Sequence, residues 1–322
     1  MTEPLLRAVR LSKVYTLQGG ILKTGGHAVH AVTDVSFDIR RGEVFGLVGE
    51  SGCGKSTLTK LILRHEEPSS GEVFFDGQPI GRLKGKALLA FRKKAQIVYQ
   101  DPYSALDPRQ RIGDILEEPL VIHGMGNRHE RLERTAWLLK VVGLRPEHAL
   151  RYPHEFSGGQ RQRIVIARAL ALHPELLVAD EPVSALDVSI QAQIINLLKQ
   201  LQSEFHLTYV FVSHDLGVIE HVADRVAVMY LGRFVELGSK DEMFDHPLHP
   251  YTEALLSAAP EPDPSAVRRR ILLEGDVPSP IHPPTGCPFH PRCPVRLPIC
   301  STTPPEYREV SSGRWVACHL RT

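Results

Sequence analysis

Gly49-Glu50-Ser51-Gly52-Cys53-Gly54-Lys55-Ser56-Thr57 decides how this chain is read. The stretch meets the phosphate-loop pattern G-x-x-x-x-G-K-[ST] at every fixed position. Val44-Phe45-Gly46-Leu47-Val48 before it reads as a short buried strand, and Leu58 to Arg64 after it reads as a helix. That strand–loop–helix context is what the pattern requires. The glycines let backbone N–H groups turn inward around anionic phosphates, and the helix N-terminus adds partial positive charge. Lys55 is placed to reach the β- and γ-phosphates and the Ser56 hydroxyl to hold Mg²⁺. The plain alternative is a Gly-rich turn that matches by chance; the flanking pattern argues against it. All of Gly49 to Thr57 counts as nucleotide-contacting, with Cys53 a small filler that has no chemistry of its own.

At 322 residues the chain is one large domain or two smaller ones. A formal net charge of +1 gives no basic field for nucleic acid. No apolar run is long enough to span a bilayer, and no signal peptide opens the chain. A cytosolic protein is expected, one that serves a membrane only through a partner.

Outward from the loop, residues 4–15 and 28–40 read as β-rich, with Val35 to Ile39 alternating as a half-buried strand does. Between them lies a loop with Gly19, Gly20, Gly25 and Gly26. Tyr15, at the end of the first strand, is either an aromatic that stacks on adenine or a strand-end core residue. Gln96 to Tyr99 form a strand that ends on Gln100, which can reach Mg²⁺ or an attacking water. Residues 103–150 turn helical, with amphipathic spacing around Ile115-Leu116 and from Leu132 to Val142.

Ser157-Gly158-Gly159-Gln160 precedes a strongly helical run, Ile164 to Leu172. It reads as a second anion-binding helix N-terminus. One chain cannot easily bring it to its own phosphate loop, but a partner chain can, with ATP between them. The alternative is an ordinary helix cap. Leu176 to Ala179 is a buried strand that ends in two carboxylates, Asp180 and Glu181. In a parallel α/β sheet such an end faces the ligand crevice. Asp180 would act on Mg²⁺, and Glu181 would polarise the attacking water. Thr208 to Val212 is another buried strand, followed by His214, which is placed to contact the γ-phosphate on the same sheet edge as Glu181. Arg225 to Met229 and Phe234 to Glu236 read as a hairpin.

In this order, Gly49–Thr57, Gln100, Ser157–Gln160, Asp180-Glu181, Ser184–Asp187 and His214 resemble the ATP-binding subunits of ABC transporters across roughly residues 5–258. Phe156 stands where that family usually has Leu, an apolar exchange. Gly49–Cys53, Gln100-Asp101-Pro102, Ala185–Gln193, His249-Pro250-Tyr251 and Gly286–Pro294 narrow the resemblance to the subunits that power dipeptide and oligopeptide importers. Nickel, glutathione and opine importers use similar ATPases.

The resemblance implies an α/β P-loop NTPase core over residues 1–258. It carries an N-terminal antiparallel β subdomain and a helical subdomain inserted at about 103–172. A proline-rich, irregular extension follows over 259–322. The resemblance also implies an ATPase at the cytoplasmic face of the membrane that uses ATP and Mg²⁺. Its partners would be a second, similar ATP-binding chain, two transmembrane permease subunits and an extracytoplasmic substrate-binding protein. A soluble ABC protein acting on DNA or the ribosome is the rival of another class. A single cassette, a modest helical insert and the absence of sustained heptads or a basic patch speak against it.

Cys287, Cys293, Cys300 and Cys318 are spaced C-x₅-C-x₆-C-x₁₇-C. The ligand count suits a [4Fe–4S] cluster or a Zn²⁺ site, and free thiols are the third possibility. The prolines after Cys287 and Cys293 and the peptide-importer resemblance favour iron–sulfur. A structural staple for a tail with little core of its own is the expected role.

Overall fold

The computed structural model describes residues 3–17, 27–258 and 271–321. The glycine loop at residues 19–26 and the start of the proline-rich extension lie outside the described residues. The chain forms two compact units, residues 1–81 with 213–322, and residues 82–212.

The first unit opens with an antiparallel sheet in the order His27–Ile39, Leu6–Leu17, Ser70–Phe75, Gln78–Pro79. Leu6 faces Ile39 on one side and Phe75 on the other, and Ala8 faces Phe37 and Val73. These residues are buried. Their spacing of two along each strand is the period that puts alternate side chains on one face. Each large apolar side chain so covered contributes roughly 1.5–3 kcal/mol.

The second sheet of this unit runs Arg308–Ser311, Arg314–Val316, Arg233–Ser239, Arg225–Tyr230, Val44–Val48. Val44–Val48 lies parallel to Arg225–Tyr230, with Leu47 opposite Ala227. The other neighbours are antiparallel. Every residue of Val44–Val48 is buried, so it reads as a continuous apolar run. The tail therefore does more than the irregular extension that its prolines suggest. Past its proline-rich part it turns at Gly313 (φ 76°) and adds two strands to the sheet, with Val316 opposite Glu236 and Trp315 opposite Leu237.

The second unit holds three parallel strands, with Leu176–Asp180 between Ala95–Val98 and Thr208–Val212. Around them run the helices Gly85–Lys94, Pro102–Ala105, Ile112–Ile122, Arg128–Val141, Gly158–Leu170 and Val188–Phe205. Arg128–Val141 starts in a capping box in which Asn127 and Glu130 satisfy each other's backbone donors. Gly158–Leu170 buries Ile164, Val165, Ile166, Ala167, Ala169 and Leu170, which cover nearly its whole circumference. A helix apolar on so many sides belongs in an interior.

Candidate nucleotide-binding site

In the first unit the buried strand Val44–Val48 delivers the chain into the loop, and the helix Lys55–Ile62 leaves it. Two glycines have no substitute here. A Cβ on Gly49 (φ 151°) would stand 2.3 Å from the Met229 carbonyl oxygen, and one on Gly54 (φ 111°) would stand 2.2 Å from the Ala31 carbonyl oxygen. Lys55 is buried, and its ammonium donates to the carbonyl oxygens of Gly49 at 2.7 Å and Glu50 at 3.1 Å. The lysine is thus folded onto the loop's own acceptors, which a phosphate oxygen can replace. Ser51, Gly52 and Ser56 are exposed, and Thr57 is half-buried. Cys53 is 2 % exposed; burial pushes its thiol up while Lys55 opposes the shift, which fits the filler role.

Glu50 is held from three directions. Its amide donates to the Tyr251 hydroxyl at 2.9 Å, and its carbonyl accepts from Lys55 and from the Cys53 amide. Its carboxylate receives both terminal nitrogens of Arg292, at 2.7 and 3.0 Å. This pairing raises the Arg292 guanidinium further above its ordinary range. Neither Arg292 nor Tyr251 announces this role in the sequence. His249-Pro250-Tyr251 registers there only as a family marker.

The structure gives those three residues physical work. The buried Glu236 carboxylate accepts from the amides of Leu248 and His249, each at 2.8 Å. Nδ1 of His249 accepts from the Tyr251 amide at 3.0 Å at the start of the helix Pro250–Ala258. Burial pulls the His249 imidazole down to about 3.

His214 is exposed and precedes Asp215, whose carboxylate caps the helix Leu216–Val222. Tyr15 is half-buried in its strand opposite Val29, with the Lys13 ammonium 4.9 Å from its ring centre. That same ammonium pairs with Glu66 at 3.0 Å.

The second unit brings Gln100 and Glu181 together. The Gln100 side-chain amide donates to the Glu181 carboxylate at 3.0 Å. Asp180 ends the central strand opposite Val212. Glu181 follows it at φ 48°, a left-handed conformation uncommon for a residue with a Cβ. Its amide donates to the Val212 carbonyl, and its own carbonyl accepts from the Ser184 hydroxyl at 3.1 Å. A strained acidic residue locked by backbone bonds is a feature of functional sites.

Ser157 caps Gly158–Leu170 in a reciprocal box. Its hydroxyl accepts from the Gln160 amide at 3.3 Å, and the Gln160 side chain accepts from the Ser157 amide at 3.1 Å. A Cβ on Gly159 would stand 2.5 Å from Cγ2 of Ile190, so this glycine is required by packing. Phe156 is buried against the His148 ring.

In the tail, the Cys287 amide donates to the Cys300 carbonyl at 2.8 Å, and none of the five cysteines is in a disulfide. Burial pushes the Cys287 thiol up to about 11, and the nearby Cys300, Cys318 and Cys293 thiols add to the rise. Burial also raises Cys293 and Cys318, again with the neighbouring thiols contributing. The four are neighbours. Among the described residues no group of three or more His, Cys, Asp or Glu side chains is placed to hold a metal ion.

No helix among the described residues is long and apolar enough to cross a membrane. The ABC transporter profile matches residues 32–184, and that of the oligopeptide/dipeptide transporter C-terminal region matches residues 235–300. The chain is 52% identical over 321 residues to the oligopeptide transport ATP-binding protein AppF of Bacillus subtilis, covering 99% of this chain and 98% of that one. It is also 52% identical to a probable peptide ABC transporter ATP-binding protein, y4tS, of Sinorhizobium fredii, covering 100% of this chain and 91% of that one.

Among solved structures, the dimeric ATP-binding cassette MJ0796 in a post-hydrolysis state bound to ADP and Pi matches with a TM-score of 0.64 at 32% identity. That match covers 73% of this chain and 98% of the cassette. CbiO1 of Clostridium perfringens matches with a TM-score of 0.65 at 29% identity, covering 76% and 92%. The chain belongs to the ABC transporter family as one of its ATP-binding ATPases, in the group that carries the oligopeptide/dipeptide transporter C-terminal region.

Proposed function

We propose that this chain hydrolyses ATP to drive import of dipeptides or oligopeptides through a membrane ABC transporter. The match of residues 235–300 to the oligopeptide/dipeptide C-terminal region carries the substrate class, because the cassette motifs serve every solute alike. In this reading the chain sits on the cytoplasmic face of the membrane against two permease subunits. It pairs with a second, similar ATP-binding chain, and an extracytoplasmic protein delivers the peptide. Residues 1–258 form the cassette, with a helical subdomain at about 103–172, and 259–322 the extension.

The roles follow from the chemistry of each group. The Gly49–Thr57 amides and Lys55 hold the phosphates, and Tyr15 stacks on adenine. Ser56, Gln100 and Asp180 would hold Mg²⁺, which would supply charge neutralisation to the phosphates. Glu181 takes the proton of the attacking water, with Gln100 fixing its carboxylate. His214 contacts the γ-phosphate and senses its loss. Ser157–Gln160 face the nucleotide held by the partner chain.

The test is uptake by whole cells carrying Glu181→Gln, offered a labelled tripeptide and, separately, Ni²⁺. Loss of peptide uptake alone supports the proposal. Loss of nickel uptake alone moves the substrate to metal, and no change in either removes the transport role assigned to these solutes.

The four tail thiols are proposed as ligands of a [4Fe–4S] cluster rather than of a single Zn²⁺. Their mutual proximity and count support this, and a cluster spreads its ligands more widely than one ion does. Iron and acid-labile sulfide assayed after anaerobic purification decide it; absence of both ends the assignment.

A further inference from the structure

Glu50 places a negative charge inside a loop whose proposed ligand is an anion. Left alone, that carboxylate opposes phosphate binding. The structure cancels it from far along the chain. Arg292, 242 residues away in sequence, meets both carboxylate oxygens, with 8 % of its side chain and 28 % of that of Glu50 exposed. Such a two-pronged, shielded pair is among the stronger polar contacts a protein makes.

Attachment of the tail does not require it. Phe289 is already buried on the rings of Tyr230, Tyr251 and His249, and Arg314–Val316 is already paired in the sheet. The Arg292 amide donates to the Phe289 carbonyl at 3.0 Å, so the aromatic anchor sets where the guanidinium stands.

We infer that Arg292 is a positioning residue for nucleotide binding: it neutralises Glu50 at the entry of the phosphate loop, so that the cysteine-bearing tail is part of the ATP site. The inference rests on the reading of Gly49–Thr57 as that site.

The experiment measures Kd for a fluorescent ATP analogue and the ATPase kcat and KM on the full-length chain. Arg292→Ala and Glu50→Gln break the same contact but leave opposite charges behind. Arg292→Ala is expected to raise Kd and KM by about tenfold, while kcat at saturating ATP changes less than about twofold. Glu50→Gln leaves an uncompensated guanidinium beside the phosphates and is expected to lower Kd by about threefold. Arg292→Lys keeps the charge without the fork and falls between wild type and Arg292→Ala.

Equal loss of affinity in Arg292→Ala and Glu50→Gln, or wild-type affinity in Arg292→Ala, overturns the inference. Lys55→Ala, run alongside, separates the two levels. If it binds ATP as wild type does, the site reading fails. If it loses ATP while Arg292→Ala does not, only the role of Arg292 fails.

Discussion

The side-chain nitrogen of Gln100 stands 3.0 Å from Oε2 of Glu181 and donates to it. A carboxylate that accepts from a side-chain amide loses rotational freedom, which suits a group that must meet one water in one orientation. Glu181→Gln is therefore expected to bind ATP with wild-type affinity and to lose about 100-fold or more in kcat, read by nucleotide binding and phosphate release. Normal steady-state turnover would remove Glu181 from the role of base.

Gln100→Ala leaves Glu181 in place but unaimed. A fall in kcat of about tenfold is expected, and Gln100→Asn, one methylene shorter, should recover little of it. An unchanged kcat would mean that the hydrogen bond is incidental to turnover.

The second unit offers a packing test. Gly159→Ala drives a methyl to within 2.5 Å of Ile190 and should cost about 1–3 kcal/mol in thermal or denaturant unfolding. Ile190→Ala in the same chain should return part of that loss. Additive losses in the double variant would show that the two side chains do not compete for space.

His249 predicts a pH dependence. Its folded value of about 3 lies below the ordinary 6.5, so the unfolded chain takes up a proton that the folded chain refuses. Stability from this residue is present above 6.5 and is lost as pH falls toward 3, by about 2 kcal/mol between pH 7 and 5. Burial raises Glu236 above its ordinary value, which works in the opposite direction. The test is therefore a difference. His249→Asn keeps an acceptor for the Tyr251 amide, and its stability should vary less between pH 7 and 5 than that of the wild type. Equal slopes would exclude His249 as the source.

Much of this site is written locally. The apolar run Val44–Val48, the glycines that follow and the carboxylates after Leu176–Ala179 each declare a strand end or a loop within ten residues. The helix cap was also legible, since Ser157-Gly158-Gly159-Gln160 fits S-x-x-Q and an ordinary cap stood beside the anion-binding reading. The same hydroxyl serves either purpose.

The contacts of the tail were not legible. Arg314–Val316 is three residues long and gains its strand by pairing with Arg233–Ser239 on one side and Arg308–Ser311 on the other. No periodicity connects Arg292 to Glu50. Lone charges read as surface until a fold brings them together, and four cysteines give a ligand count without a geometry.

The distance in sequence between Glu50 and Arg292 also fixes an order of events at the ribosome. The phosphate loop is synthesised 242 residues before the guanidinium that holds it. At about 5–20 residues per second, the nascent cassette spends roughly 10–50 s with that carboxylate unmatched. The tail that completes the loop also emerges after every nucleotide motif. A transcript cut short between His214 and Arg292 yields a chain that has all its nucleotide motifs and an unfinished place to use them.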